Sequence, residues 1–195
     1  MARQQNTRTI AFRRKREGKT NYRSRIRLLL SKKPRFVVRK SLKNVVIQLI
    51  QFSPQGDKVL LSVHSHELRK LGWKASLNNI PACYLLGFIT GIRAKEKNIT
   101  ECILDIGMTP SIKGSCLYSA LKGAVDSGLN MPFSDVVFPD EKTIRGEAIA
   151  KYAKHLKADK ARFAKQFSLY LKSGLDPETL PAHFDDIKKK IRGKE

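Results

Sequence analysis

The chain predicts a mixed α/β fold. An antiparallel three-strand meander plus one strand added by a crossover forms a small mixed sheet, with packed helices, an extended basic N-terminal arm and a helical C-terminal tail. Three observations lead there. Segments 35–41 (RFVVRKS), 44–52 (NVVIQLIQF) and 58–64 (KVLLSVH) are short and β-branched, and the connections between them are too short for crossovers. Beyond residue 64 the apolar period lengthens to that of helices, with one further strand-like segment at 101–107 (ECILDIG). The positive charge is gathered at the two ends of the chain.

Each element has a local reason. Residues 1–18 lack apolar periodicity and end in Gly18, which predicts an arm ordered only by its partner. Thr20 or Asn21 can cap a helix to about Ser31, with Ile26, Leu29 and Leu30 on an apolar stripe, Arg23 and Arg27 on a cationic one, and Pro34 closing it. The second and third strands are joined by Ser53-Pro54-Gln55-Gly56-Asp57, a turn by its chemistry. A short helix at 67–71 leads through Gly72-Trp73 to a longer one, capped by Asn79, with Pro81 in its first turn and ending near Ala94. That helix is apolar nearly all round, which fits packing on a sheet, and Gly87 with Gly91 predicts a close helix-to-sheet approach. A helix at 115–127 ends at Gly128, and Pro132 and Pro139 make 131–140 a loop. Ile149, Tyr152, Ala153 and Leu156 mark a helix around 147–156; another spans 159–173, stopped by Gly174, and Asp176-Pro177 starts the last. The predicted divisions are an arm and first helix (1–33), an α/β core (34–130) and a loop with a helical extension (131–195).

The 195 residues carry 39 Lys and Arg against 17 Asp and Glu, a formal net charge of +22. Residues 1–43 contribute +15, residues 44–150 only +1, and residues 151–195 +6. A near-neutral middle with cationic extremities suits a scaffold that grips a polyanion, and nucleic acid leads. In the arm arginine outnumbers lysine, and its planar fork suits phosphate and base stacking. Phe12 and Tyr22 interleave with these cations, either to stack on unpaired bases or to anchor the arm to the core. The longest apolar run, Ile80 to Ile92, is too short for a membrane span, and the N-terminus lacks a secretory signal, so a cytoplasmic protein with no membrane partner is expected. Cys83, Cys102 and Cys116 form no C-x-x-C pair and are expected to be core thiols.

Catalysis finds little support. Lys113-Gly114-Ser115 opens a helix, whose free N–H groups suit a phosphate, although Ser115 serves equally as a plain cap. The order is not that of a nucleotide-binding P-loop, which needs Gly-Lys-Ser/Thr. The sheet order resembles ribonuclease H-like nucleases, but Asp105 is the one strand carboxylate, and Arg39 and Lys40 stand where a metal ligand is needed. His64 and His66 lack a third ligand at a recognisable spacing. The expectation is a non-enzyme with no metal and no cofactor.

Residues 12–41 (FRRKREGKTNYRSRIRLLLSKKPRFVVRKS), 62–87, 103–129 and 138–153 resemble the family of large-subunit ribosomal protein eighteen, in its archaeal form, and the likeness extends into the tail at 168–184. The resemblance implies a ribonuclease H-like sheet without the nuclease. It also implies binding to 5S ribosomal RNA and help in docking it to the large-subunit RNA in the central protuberance, beside ribosomal protein five and other proteins there. Carried onto this sequence, the RNA-binding role falls on Arg3, Arg8, Phe12, Arg13, Arg14, Lys15, Arg16, Lys19, Tyr22, Arg23, Arg25 and Arg27. It falls next on Lys32, Lys33, Arg35, Arg39 and Lys40, and then on Lys113 and Ser115. A free-standing basic RNA-binding protein or RNA chaperone is the alternative.

Overall fold

The computed structural model describes residues 10–193. Four strands, β1 (Arg35–Lys40), β2 (Val45–Gln51), β3 (Lys58–His64) and β4 (Ile103–Asp105), form one sheet in the order β3-β2-β1-β4. The first three make the antiparallel meander, and β4 lies parallel to β1. Register follows from the alternation of side chains. Phe36, Val38, Val45, Ile47, Leu49 and Val63 enter the core from one face. Arg35 opposite Ile50, Val37 opposite Gln48, and Arg39 opposite Val46 occupy the other.

β4 is shorter than the predicted 101–107 and forms an edge. Glu101 bridges instead to Asn130, and beyond Asp105 the chain turns at Gly107, whose φ is +65°.

On the core face lie α4 (Ile80–Glu96) and α5 (Cys116–Asp126), preceded by the short helices α1 (Arg13–Arg16), α2 (Tyr22–Leu29) and α3 (His66–Lys70). The Asn79 side chain caps α4 by accepting the Ala82 N–H at 2.9 Å. The Gly87/Gly91 pair makes its close approach to α5 rather than to the sheet. A Cβ on Gly87 would stand 2.0 Å from the Ala120 carbonyl oxygen, and one on Gly91 would strike Ser127. Gly123 of α5 answers in kind, with the Tyr84 carbonyl oxygen 2.1 Å from where its Cβ would be. The small residues let two backbones touch, and the expected helix-to-sheet contact gives way to a helix–helix one.

The tail folds back on this layer through α6 (Glu141–Arg145), α7 (Glu147–Leu156), α8 (Lys160–Gln166), α9 (Ser168–Lys172) and α10 (Leu180–Arg192). The sequence did not suggest α6. It is split from α7 by Gly146, at φ +87° against Leu180. The predicted helix over 159–173 breaks at Phe167, which is buried and ringed by Tyr152, Phe163 and Tyr170. Along α10 Leu180, Phe184, Ile187 and Ile191 are buried on one stripe. Such side chains stabilise by roughly 1.5–3 kcal/mol each. Lys188 turns inward too, donating to the Tyr84 hydroxyl at 2.7 Å with its ammonium 4.6 Å from that ring's centre. Burial holds the Lys188 amine below its ordinary pKa.

Two local expectations change. Residues 12–20 are not extended: the Phe12 carbonyl accepts from the Lys15 and Arg16 N–H groups to start α1, and Arg14 donates to the Thr20 hydroxyl at 2.9 Å. Cys83 and Cys102 are core thiols, whereas Cys116 is half-buried beside Lys40. No helix among the described residues is long and apolar enough to cross a membrane.

Candidate nucleic-acid interface

The face of the sheet that α4 and α5 leave uncovered meets α2 and the turn before it, and between them lies a groove of about 720 Å³. Its walls carry six cations, Arg14, Lys19, Arg25, Arg27, Arg35 and Arg39, against two acids, Asp57 and Asp105. Local sequence sets this up. Asn21 caps α2 by accepting the Ser24 N–H at 3.2 Å, which starts the helix where its arginines fall over the sheet. Alternation along β1 then places Arg35 and Arg39 beneath them.

The acids hold an alternating chain of charges. Asp57 accepts from Arg25 of α2 at 2.8 Å and from Arg35 of β1 at 2.6 Å. Asp105 accepts from Arg35 at 2.7 Å and from Arg39 at 3.2 Å, and also takes the Gly107 N–H at 2.8 Å. Arg39 is fixed a second time, since it donates to the backbone carbonyl oxygens of Val38 at 2.9 Å and Asp105 at 3.0 Å. A Cβ on Gly107 would stand 2.8 Å from the Arg39 guanidinium carbon, so glycine there leaves room for that arginine. Burial pushes the Asp105 carboxyl upward. The Arg39 charge and the bonds from Arg35, Arg39 and Gly107 outweigh it, holding the group below its ordinary value.

Not all predicted cations are therefore equivalent. Arg35 is only 4% exposed and is closed off by two carboxylates, so it forms the floor of the groove and offers nothing to a phosphate. This revises its place among the expected RNA contacts. Arg25 and Arg39 are anchored at one end and half open at the other. Arg13 and Lys19 share Glu17, and Lys33 pairs with Glu101; these exposed pairs are screened by water and yield readily to another anion. Among the described residues Lys15, Arg16, Arg23, Arg27 and Lys32 form no ion pair with a carboxylate.

Phe12 and Tyr22 tilt against each other with ring centres 5.1 Å apart, and Phe12 remains 71% exposed. The Lys40 ammonium lies 3.6 Å from Cys116 Sγ, outside the groove. Lys113 is exposed in the loop before α5. Ser115 occupies the cap position, but its hydroxyl caps nothing and is buried without a partner. Arg3 and Arg8 lie outside the described residues. Sequence reasoning missed Asp57 and Gln48. It weighed Asp105 only as a metal ligand, since a carboxylate that orients arginines has no local pattern of its own.

Residues 7–100 and 92–134 match the family model described as ribosomal large subunit proteins 60S L5 and 50S L18. The chain belongs to this family. It is therefore a protein of the large ribosomal subunit, and its family binds 5S ribosomal RNA. Every residue lining the groove falls inside the matched span, whereas α6 to α10 lie beyond its end.

Proposed function

We propose that this chain is a structural, non-catalytic constituent of the large subunit that binds 5S ribosomal RNA. It helps dock that RNA against the large-subunit RNA in the central protuberance of a cytoplasmic ribosome, beside ribosomal protein five. The carrying observation is the groove of six cations and two acids under α2, inside the family-matched residues. Residues 1–33 act as the RNA-binding arm and first helix, 34–130 as the core and 131–195 as the extension.

Arg14, Lys15, Arg16, Lys19, Arg23 and Arg27 supply phosphate contacts, with Arg3 and Arg8 extending the track. Arg25 and Arg39 present guanidinium groups at fixed positions. Phe12, with its exposed ring, and Tyr22 beside it offer a stacking surface worth about 1–3 kcal/mol per base. Arg13, Lys32, Lys33, Lys40 and Lys113, outside the groove as Lys15, Arg16 and Arg23 also are, form a second, looser set. The strand order, with β4 parallel to β1, supports a ribonuclease H-like topology, and the ion pairs around Asp105 support a positioning role for that carboxylate.

Salt dependence tests the reading. If about eight cations neutralise phosphates, log K for 5S RNA falls with log[salt] at a slope of about −6 to −7. Deleting residues 1–19 is expected to flatten that slope and abolish tight binding while the core still folds. An unchanged slope overturns the assignment. Sedimentation with large subunits after a high-salt wash separates this reading from that of a free RNA chaperone, which stays in the soluble pool.

A further inference from the structure

Away from the groove, at the end of β1, three reactive groups from three elements meet. Cys116 is the first residue of α5, an eleven-residue helix, so its sulfur sits at the positive end of the helix dipole. The Lys40 ammonium approaches it from β1 at 3.6 Å. Cys83, fully buried in the first turns of α4, lies one turn before Gly87 as Cys116 lies one turn before Ala120, so the close α4–α5 approach at Gly87 and Ala120 sets the two cysteines on facing turns. One contact favours the neutral form, the Cys116 S–H donating to the backbone carbonyl oxygen of Asn78, ahead of α4, at 3.8 Å. The helix end and the ammonium both favour negative charge on Cys116, and an ammonium this close disfavours a metal cation there.

We propose that Cys116 is a nucleophilic thiolate that hydroperoxides oxidise, and that Cys83 resolves the product into a Cys83–Cys116 disulfide. Cys116 is half-buried and so accessible to a small oxidant, whereas Cys83 is reached only through its neighbour. The Cys116 thiolate attacks one peroxide oxygen and the O–O bond breaks. A sulfenic acid forms, and the other peroxide oxygen leaves, as hydroxide from hydrogen peroxide or as alkoxide from an organic hydroperoxide, and takes up a proton. The Cys83 sulfur then attacks the Cys116 sulfur, the S–O bond breaks, and the departing hydroxide takes the Cys83 proton as water. The two sulfurs lose two electrons and the peroxide gains them.

The same groups shift the titration of both thiols. The bond from Cys83 acts first, with the Lys40 charge beside it, and together they overcome burial to bring Cys116 down to about 6. Cys83, bonded to that sulfur and wholly buried, moves the other way. Its proton therefore stays on until the sulfenic acid is in place.

The test uses the full chain and two probes. In iodoacetamide alkylation followed residue by residue by mass spectrometry, the Cys116 rate is expected to rise with a midpoint near pH 6. Lys40→Met, at an exposed position, is expected to raise that midpoint by about one pH unit. Hydrogen peroxide is expected to yield a Cys83–Cys116 cross-linked peptide in the native chain, and a dimedone adduct on Cys116 in Cys83→Ala. A Cys116 midpoint at or above pH 8 overturns the proposal. So does peroxide oxidation of Cys116 that leaves Cys83 unlinked in the native chain.

Discussion

The N-terminal helices and the C-terminal extension are both cation-rich, but they are attached to the sheet and its helices by different physics. No residue of α1 or α2 is buried, and α2 is tied down through Arg25, Asp57 and Arg35. The extension buries Ile144, Ala153, Tyr170, Leu180, Phe184, Ile187 and Ile191, and even draws Lys188 onto the Tyr84 ring. An apolar stripe has water as its only competitor and stays down. The Arg25–Asp57 pair is half open to solvent, and a guanidinium–carboxylate pair that solvent reaches competes with other anions, so Arg25 can exchange its acid for a phosphate while Arg35 beneath it keeps its own. Cationic composition alone does not separate the two cases. Apolar spacing does not separate them either, since the α2 segment carries Ile26, Leu29 and Leu30 at helical spacing; what separates them is that Ile26 and Leu30 stay exposed whereas the stripe of the extension is buried.

The largest effect that breaks this contrast is in the extension. Phe184→Ala is expected to lower stability by about 3–5 kcal/mol, read by urea unfolding. The salt slope of 5S RNA binding by the folded fraction should stay unchanged. A changed slope would tie the extension to the RNA and erase the distinction.

Asp105→Asn probes the other side, because it strips the buried Arg35 of one partner and loosens Arg39; a loss of about 3 kcal/mol at neutral pH is expected. The sign with pH is fixed by the depressed carboxyl. Its contribution is present above the ordinary aspartate value and is lost as pH falls through the lower folded one. Native and variant stabilities should therefore converge in acid, and a gap that does not narrow as pH falls below the ordinary aspartate value would contradict this role for Asp105.

Gly87→Ala separates packing from charge. The new methyl meets the Ala120 carbonyl, and about 1–3 kcal/mol is lost as α5 is pushed from α4. A variant as stable as the native chain would mean that α5 shifts without cost. The smallest stability effect belongs to Arg23→Ala with Arg27→Ala, which should change unfolding by less than about 0.5 kcal/mol. The same pair should reduce the salt slope by about 1.5, from two lost phosphate contacts. If instead stability falls and the slope holds, α2 is structural.

The sequence determined by itself whatever depends on near neighbours. The short β-branched strands, the Asn79 cap, the turn at 53–57 and the helix marked by Ile149, Tyr152, Ala153 and Leu156 all lie within a few residues of their causes. The cationic end was equally legible, because charge needs no partner to be counted. Only the tertiary structure decided which of those cations face solvent. Arg35 reaches Asp57 across 22 residues and Asp105 across 70, and no local pattern marks an arginine that will be closed off by carboxylates so distant. The Gly87/Gly91 pair announced a close approach and left its partner open, since a missing side chain specifies proximity but not direction. Cys116 looked like one more buried thiol until β1 and α4 brought Lys40 and Cys83 to its sulfur. Electrostatic environment is a property of the assembled fold, because it is set by groups that only the fold makes neighbours.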